Sequence, residues 1–289
     1  MQVIGNWAPS KRGYVEGRKE LAVKIWARLG FALAICAVAF QSAEASAGPC
    51  DGYKPFVFMP PAKDFDLAAD TPRPAAPVVD AGMTKAIGDL IRRQLAQDPG
   101  QLCRYRAVNF SLPARLPQGV KIVFIGDSIT EFWGTADPEL FTGGFVNRGI
   151  GGQTSSQLLL RFWQDVISLH PRAVQIMIGT NDLGAEHQDL MATQDNIRAM
   201  IDLARAHHIT VILATIPPRR PIAAESAFNR WIVQLALEER IYLVDYASAL
   251  AKNGDVNPAL SLDLIHPNRA GFYVMRKTLA PVLQQAGLN

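Results

Sequence analysis

The stretch VKIVFIGDSITEFWG holds the first candidate for chemistry. An apolar, β-branched run, Val120–Ile125, stops at Gly126 and gives way to Asp127, Ser128 and Thr130. Gly, Asp and Ser are the residues that leave strands and cap helices, so the cluster reads as a turn. It reads also as a serine nucleophile at the carboxyl end of a strand, where open α/β sheets carry their sites. A serine hydroxyl attacks only when a neighbouring base takes its proton. DLIHPN, Asp263 to Asn268, offers such a base. Asp263 and His266 are three residues apart, and on a turn or short helical segment they point the same way. The carboxylate can then fix the imidazole tautomer and stabilise its charged form. His170 and His187 sit in loop contexts, and His207 and His208 close a helical pattern, where a helix-dipole role suffices.

Acyl transfer also needs donors for a developing oxyanion. NRGIGGQTS, Asn147 to Ser155, carries bare backbone N–H groups that suit that use. The same glycines serve equally as a tight turn opening a helix near Thr154. A phosphate loop is excluded, because no Lys-Ser/Thr follows, and the dinucleotide fingerprint is incomplete at Thr154. A fourth polar stretch is GTND, Gly179 to Asp182. No spacing of His, Cys or Glu reads as a metal site.

These stretches need a scaffold that gathers them. Strands are expected at Val120–Ile125, Phe145–Asn147, Ala173–Ile178, Thr210–Ala214 and Ile241–Val244. Helical patterns lie between or after them at Ser155–Leu169, Leu190–His207, Ala224–Glu239 and Ala270–Gln285. This alternation implies a parallel sheet with helices on both faces and right-handed crossovers. All four polar stretches can then meet on one edge.

Ahead of this regular part the chain changes character. Lys24 and Arg28 precede the uncharged run Leu29–Phe40, and SAEASA follows, with Ala-x-Ala ending at Ala45 and at Ala47. A positive flank, a short apolar stretch and small residues make a secretory signal, cleaved near Ala45 or Ala47. The apolar run is short for a bilayer span. Three segments result: 1–47, extension and signal; 48–118, a Pro-rich arm with one helix over Thr84–Gln97; and 119–289, the catalytic domain. CRYRAVNF and SLPARLPQG read as a Pro-punctuated link between the last two. Met1–Ala47 carries six basic and three acidic residues, and without it 23 of each remain. There is no basic stripe, so a nucleic-acid partner is not expected. Export would remove Cys36 and leave Cys50 and Cys103, an even pair suited to a disulfide in an oxidising compartment.

In order, GDSIT, GIGGQTS, GTND and DLIHP resemble the four signature blocks of the SGNH (GDSL-type) hydrolases, over about Val120 to Leu283. Ile129 stands where the name-giving motif has Leu. The resemblance implies a flavodoxin-like, three-layer α/β/α fold with a five-stranded parallel sheet. It implies Ser128 as nucleophile, His266 as general base and Asp263 as its orienter. It makes an oxyanion hole from the N–H groups of Ser128 and Gly152 and the Asn181 side chain. Asp127 and Asp182 brace turns. Phe132, Trp133, Arg148 and the loop LGAEHQD are expected to shape the substrate pocket, the two rings because they follow Ser128 so closely.

The expected protein is a secreted or periplasmic serine esterase without a cofactor. It would hydrolyse short acyl esters, acetyl first, through an acyl-enzyme. Its substrate would be a small molecule or a glycan, and no stable membrane insertion is expected once the signal is cleaved. The alternatives are a lysophospholipase or thioesterase, a binding module that has kept the fold and lost catalysis, and a scaffold anchored through Leu29–Phe40.

Overall fold

The computed structural model describes residues 50, 52, 59–60, 62–69, 71, 81–184, 189–219 and 223–289. The expected leader and its expected cleavage sites, and residues 185–188 of the LGAEHQD loop, lie outside them. Five strands form one parallel sheet in the order β2-β1-β3-β4-β5: β1 Ile122–Gly126, β2 Phe145–Gly149, β3 Ala173–Met177, β4 Thr210–Ala214 and β5 Tyr242–Val244. Every residue of β1 and of β3 is buried, as strands covered on both faces require.

Among the described residues two α-helices precede the sheet, α1 (Ala81–Gln97) and α2 (Arg106–Arg115). Helix α3 (Ser128–Ala136) follows β1, α4 (Ser155–Asp165) follows β2, α5 (Leu190–Ala206) follows β3 and α6 (Ala223–Glu238) follows β4. Beyond β5 come the short α7 (Tyr246–Leu250), a two-residue hairpin pair and α8 (Arg269–Gln285). Helices α4 and α5 pack together, and α3 packs with α8. With right-handed crossovers these pairs take opposite faces, giving the three-layer α/β/α fold expected from the sequence. The chain steps from β1 outward to β2 and back past β1 to β3. The ends of β1, β2 and β3 therefore lie side by side at this reversal, Gly126 in register with Gly149 and Met177.

The link expected over CRYRAVNF and SLPARLPQG is instead α2, with Pro113 inside it. Tertiary contacts outweigh the proline: Leu112 is buried, and Asn109 Nδ2 donates to the Gln164 carbonyl at 3.2 Å and to Asp165 Oδ1 at 2.7 Å. The arm also docks through a 3₁₀ turn, Ala62–Asp66. Its Phe65 is fully buried, edge-on to Phe132 at 5.9 Å and tilted against Phe272 at 6.1 Å. The described residues of Gly52–Asn289 belong to one compact unit, so they share one core with the sheet. Cys50 and Cys103 are each disulfide-bonded. No helix among the described residues is long and apolar enough to cross a membrane.

The sheet edge is tied from beneath by Arg161, which is wholly buried. Its guanidinium donates to the Gly126 carbonyl at 3.0 Å, the Arg148 carbonyl at 2.8 Å, Gln153 Oε1 at 2.6 Å and Asp165 Oδ2 at 3.0 Å. Removing one partner of a buried pair leaves the other uncompensated, at about 3–5 kcal/mol. Arg161→Met is expected to destabilise the protein by that amount in urea or guanidinium unfolding. A change under about 1 kcal/mol would mean that water or a side-chain shift satisfies Asp165 and the Arg148 carbonyl, Gly126 O keeping the Ile150 N–H.

Candidate active site

Ser128 stands at the first position of α3, directly after β1. Asp127 caps that helix, its Oδ1 accepting the Ile129 N–H at 3.0 Å. The sharp turn needs Gly126, because a Cβ there would collide with Thr130 Oγ1 and the Met177 carbonyl. The hydroxyl of Ser128 lies 2.9 Å from His266 Nε2. On the other side of the ring, Nδ1 lies 2.8 Å from Asp263 Oδ2.

Asp263 uses both oxygens. Oδ1 accepts the backbone N–H of Ile265 at 3.0 Å and of His266 at 2.7 Å, closing an Asx turn. Leu264, between the acid and the base, takes a left-handed φ of 69°. Burial works to raise the Asp263 pKa. The His266 ring N–H, the charge it can carry and the two backbone N–H groups outweigh that and hold the carboxyl below its ordinary value.

Ser128, His266 and Asp263 line one cavity of about 570 Å³, together with Gly152, Thr180 and Asn181. Gly152 has φ +77°, a left-handed conformation that turns the loop after β2 toward α4. The Asn181 amide donates to the Gln153 carbonyl at 2.9 Å, which leaves its second N–H available. Asp182 braces the neighbouring turn: it accepts from the Ser155 N–H at 3.0 Å, the Ser155 hydroxyl at 2.6 Å and Thr193 Oγ1 at 3.1 Å. Among the described residues, no three His, Cys, Asp or Glu side chains cluster as a metal site requires.

Two of the three expected pocket residues lie elsewhere. Phe132 does line the cavity, its ring 4.8 Å from that of His266. One residue on, Trp133 is fully buried among Phe124, Tyr246 and Phe272. The helix explains the difference: Phe132 is four residues after Ser128 and shares its face, whereas Trp133 is turned a further 100° toward the sheet. Arg148 is buried behind β2, its Nε donating to Asn109 Oδ1 at 2.8 Å and its guanidinium 4.7 Å from the Tyr105 ring centroid. Burial lowers its pKa. The sequence reading also missed wall residues from the arm, Ile91, Gln94 and Leu95 of α1 and Arg104, as well as Glu131 and Arg219. Only Glu131 had a signal, one helical turn beyond Ser128.

A parallel α/β/α sheet with a hydrogen-bonded Ser-His-Asp chain beside its strand ends is an arrangement suited to acyl transfer. The profile of the GDSL-like Lipase/Acylhydrolase family matches residues 124–273, and the chain belongs to that family. It is 28% identical over 207 residues to an acetylxylan esterase from Geobacillus stearothermophilus, covering 56% of this chain and 93% of that protein. A GDSL-like lipase structure from Bacteroides thetaiotaomicron superposes with a TM-score of 0.60 at 33% identity, covering 65% of this chain and 98% of that one. The Geobacillus acetylxylan esterase structure gives 0.50 at 26% identity, over 59% and 95%.

Asp127 generates a pH prediction. It is fully buried, and burial pushes its carboxyl up to about 6, against the pull of the Ile129 N–H and of His266. Between its unfolded value of 3.8 and about 6, the folded state keeps a proton that the unfolded state has released. Stability from this group is therefore greatest below that window and falls as pH rises through it, by about 3 kcal/mol in all. Asp263 has the opposite sign, its contribution being lost as pH falls. Asp127→Asn is expected to remove the loss between pH 4 and 7 in denaturant unfolding. Parallel stability profiles for the variant and the parent would show that Asp127 does not titrate in this range.

Proposed function

We propose that the protein is an exported serine esterase that removes short acyl groups, acetyl first, from carbohydrate or small-molecule esters. The observation that carries this reading is the hydrogen-bonded chain Ser128–His266–Asp263, at 2.9 and 2.8 Å, in a cavity shared with Gly152 and Asn181. His266 Nε2 takes the Ser128 proton as Oγ attacks the ester carbonyl. The oxyanion is received by the N–H groups of Ser128 and Gly152 and by the Asn181 amide. The imidazolium returns its proton to the departing alkoxide, which leaves an acyl-serine. Water, deprotonated by the same nitrogen, then releases the acid. Asp263 holds the ring in the required tautomer throughout.

The acetylxylan esterase relative supports acetyl as the acyl group. Phe132 beside His266 supports a short acyl slot. The disulfide-bonded cysteines support an oxidising compartment, in keeping with the leader-like N-terminus. A second reading, a lysophospholipase or thioesterase, is favoured by the apolar wall of Ile91, Leu95, Ile150 and Ile265.

Ser128→Ala is expected to abolish p-nitrophenyl acetate turnover and fluorophosphonate labelling with folding intact. Labelling of that variant would move the nucleophile elsewhere, and no turnover in the parent would favour a binding module. Asn181→Ala should lower kcat by roughly 10²–10³.

An acyl-chain series separates the two enzymatic readings. Acetyl and propionyl esters should be cleaved well and octanoyl poorly. Phe132→Ala should broaden the profile, while Trp133→Ala should leave it unchanged and lower stability by about 3–5 kcal/mol. A kcat/KM that climbs from acetyl to octanoyl in the parent would favour the lipase-like reading.

A further inference from the structure

Arg104 lies ahead of the family-matched region, yet it reaches the catalytic centre. Its Nη2 donates to Glu131 Oε1 at 2.6 Å. Glu131 is 8% exposed and stands one helical turn after Ser128. Its other oxygen, Oε2, accepts the N–H of Gly151 at 2.7 Å. Gly151 directly precedes Gly152. A Cβ on Gly151 would come within 3.0 Å of Glu131 Oε2 and 3.6 Å of Ser128 Cβ, so the loop is wedged between the carboxylate and the nucleophile.

The same arm segment holds the loop at two further points. The Tyr105 hydroxyl donates to the Gly149 carbonyl, and Gln153 Nε2 donates to the Gly100 carbonyl at 3.1 Å. The segment is itself fixed by Asp98, whose carboxylate accepts the N–H groups of Leu102 at 2.8 Å and Cys103 at 3.0 Å. Residues 149–153 are thus gripped at both ends and at the centre by residues 100–105, with Glu131 as the central link.

We propose that Arg104 and Glu131 are a positioning pair that sets the Gly151–Gly152 peptide for oxyanion binding, which makes the segment before the family region part of the catalytic apparatus. This rests on the esterase reading, with Gly152 as an oxyanion donor. Burial raises the Glu131 pKa, and the Arg104 guanidinium opposes that rise while it orients the carboxylate toward Gly151. Without the arginine the loop relaxes. A displaced oxyanion donor is felt in the transition state and little in the ground state.

The test is steady-state kinetics on p-nitrophenyl acetate for R104A, R104K, E131Q and R104A/E131Q, with thermal unfolding of each. R104A and E131Q are expected to lower kcat roughly 10- to 100-fold with KM within about twofold. The double variant should lose little more than either single one, and R104K should recover part of the loss. A kcat within about twofold of the parent in both single variants overturns the proposal. So does a raised KM at unchanged kcat, which would make Arg104 a substrate contact. Should R104A fail to fold, the near-isosteric E131Q carries the same test. An inactive parent protein would instead sink the esterase reading itself.

Discussion

The buried guanidinium of Arg161 is the constraint on which the sheet edge around Ser128 depends. Two carbonyls at the strand ends lie beneath the site, and one of them, Gly126 O, also accepts the Ile150 N–H at 3.0 Å. Arg161 takes Gly126 O, just before the nucleophile turn, and Arg148 O, just before the glycine loop. It takes Gln153 Oε1 where that loop ends. Asp165, one turn along the same helix, supplies the countercharge. One planar group with a fixed fork of donors thus sets the relative height of two turns that come from different strands. A hydrophobic residue of similar size would fill the space but leave Asp165 without its countercharge, the Arg148 carbonyl without this donor and Gly126 O with the Ile150 N–H alone.

Around this centre the arm serves as wall as well as connection. Phe65 fills the space behind Phe132, so the ring beside His266 is backed by an aromatic residue from far earlier in the chain. Ile91 and Leu95 form another part of the cavity lining. The family-matched region supplies Ser128, Asp263 and His266, and the segment before it supplies part of the cavity wall facing them. Relatives that share the first and differ in the second can share chemistry and differ in what they admit.

The sheet, its strand ends and the Ser-His-Asp chain were legible because they rest on local rules. Apolar runs ending in Gly, Asp or Asn mark strand ends, and an acid three residues before a histidine meets it on a turn. What stayed hidden depends on long-range packing. Arg161 and Asp165 have the spacing of an ordinary exposed helix pair, and nothing in the sequence says that this helix face is covered. Helix α2 was masked by Pro113, and the burial of Leu112 together with the Asn109 bonds to α4 and Arg148 holds it. Phe132 and Trp133 are alike in chemistry, and the start of α3 had to be known to one residue to tell which ring shares the face of Ser128. Arg148 offered a charge near the glycine loop, but strand alternation turned it to the side covered by α2.

The Asx turn at Asp263 divides the machinery into two bodies. One carboxylate builds the loop with one oxygen and orients the imidazole with the other, so acid and base are locked together within four residues. The nucleophile and the glycine loop belong instead to the sheet edge. A shift of the 263–266 loop that kept this turn would preserve the 2.8 Å bond and alter the 2.9 Å approach to Ser128. In the proposed mechanism, the distance between His266 Nε2 and the Ser128 hydroxyl is where such a shift would act on proton transfer.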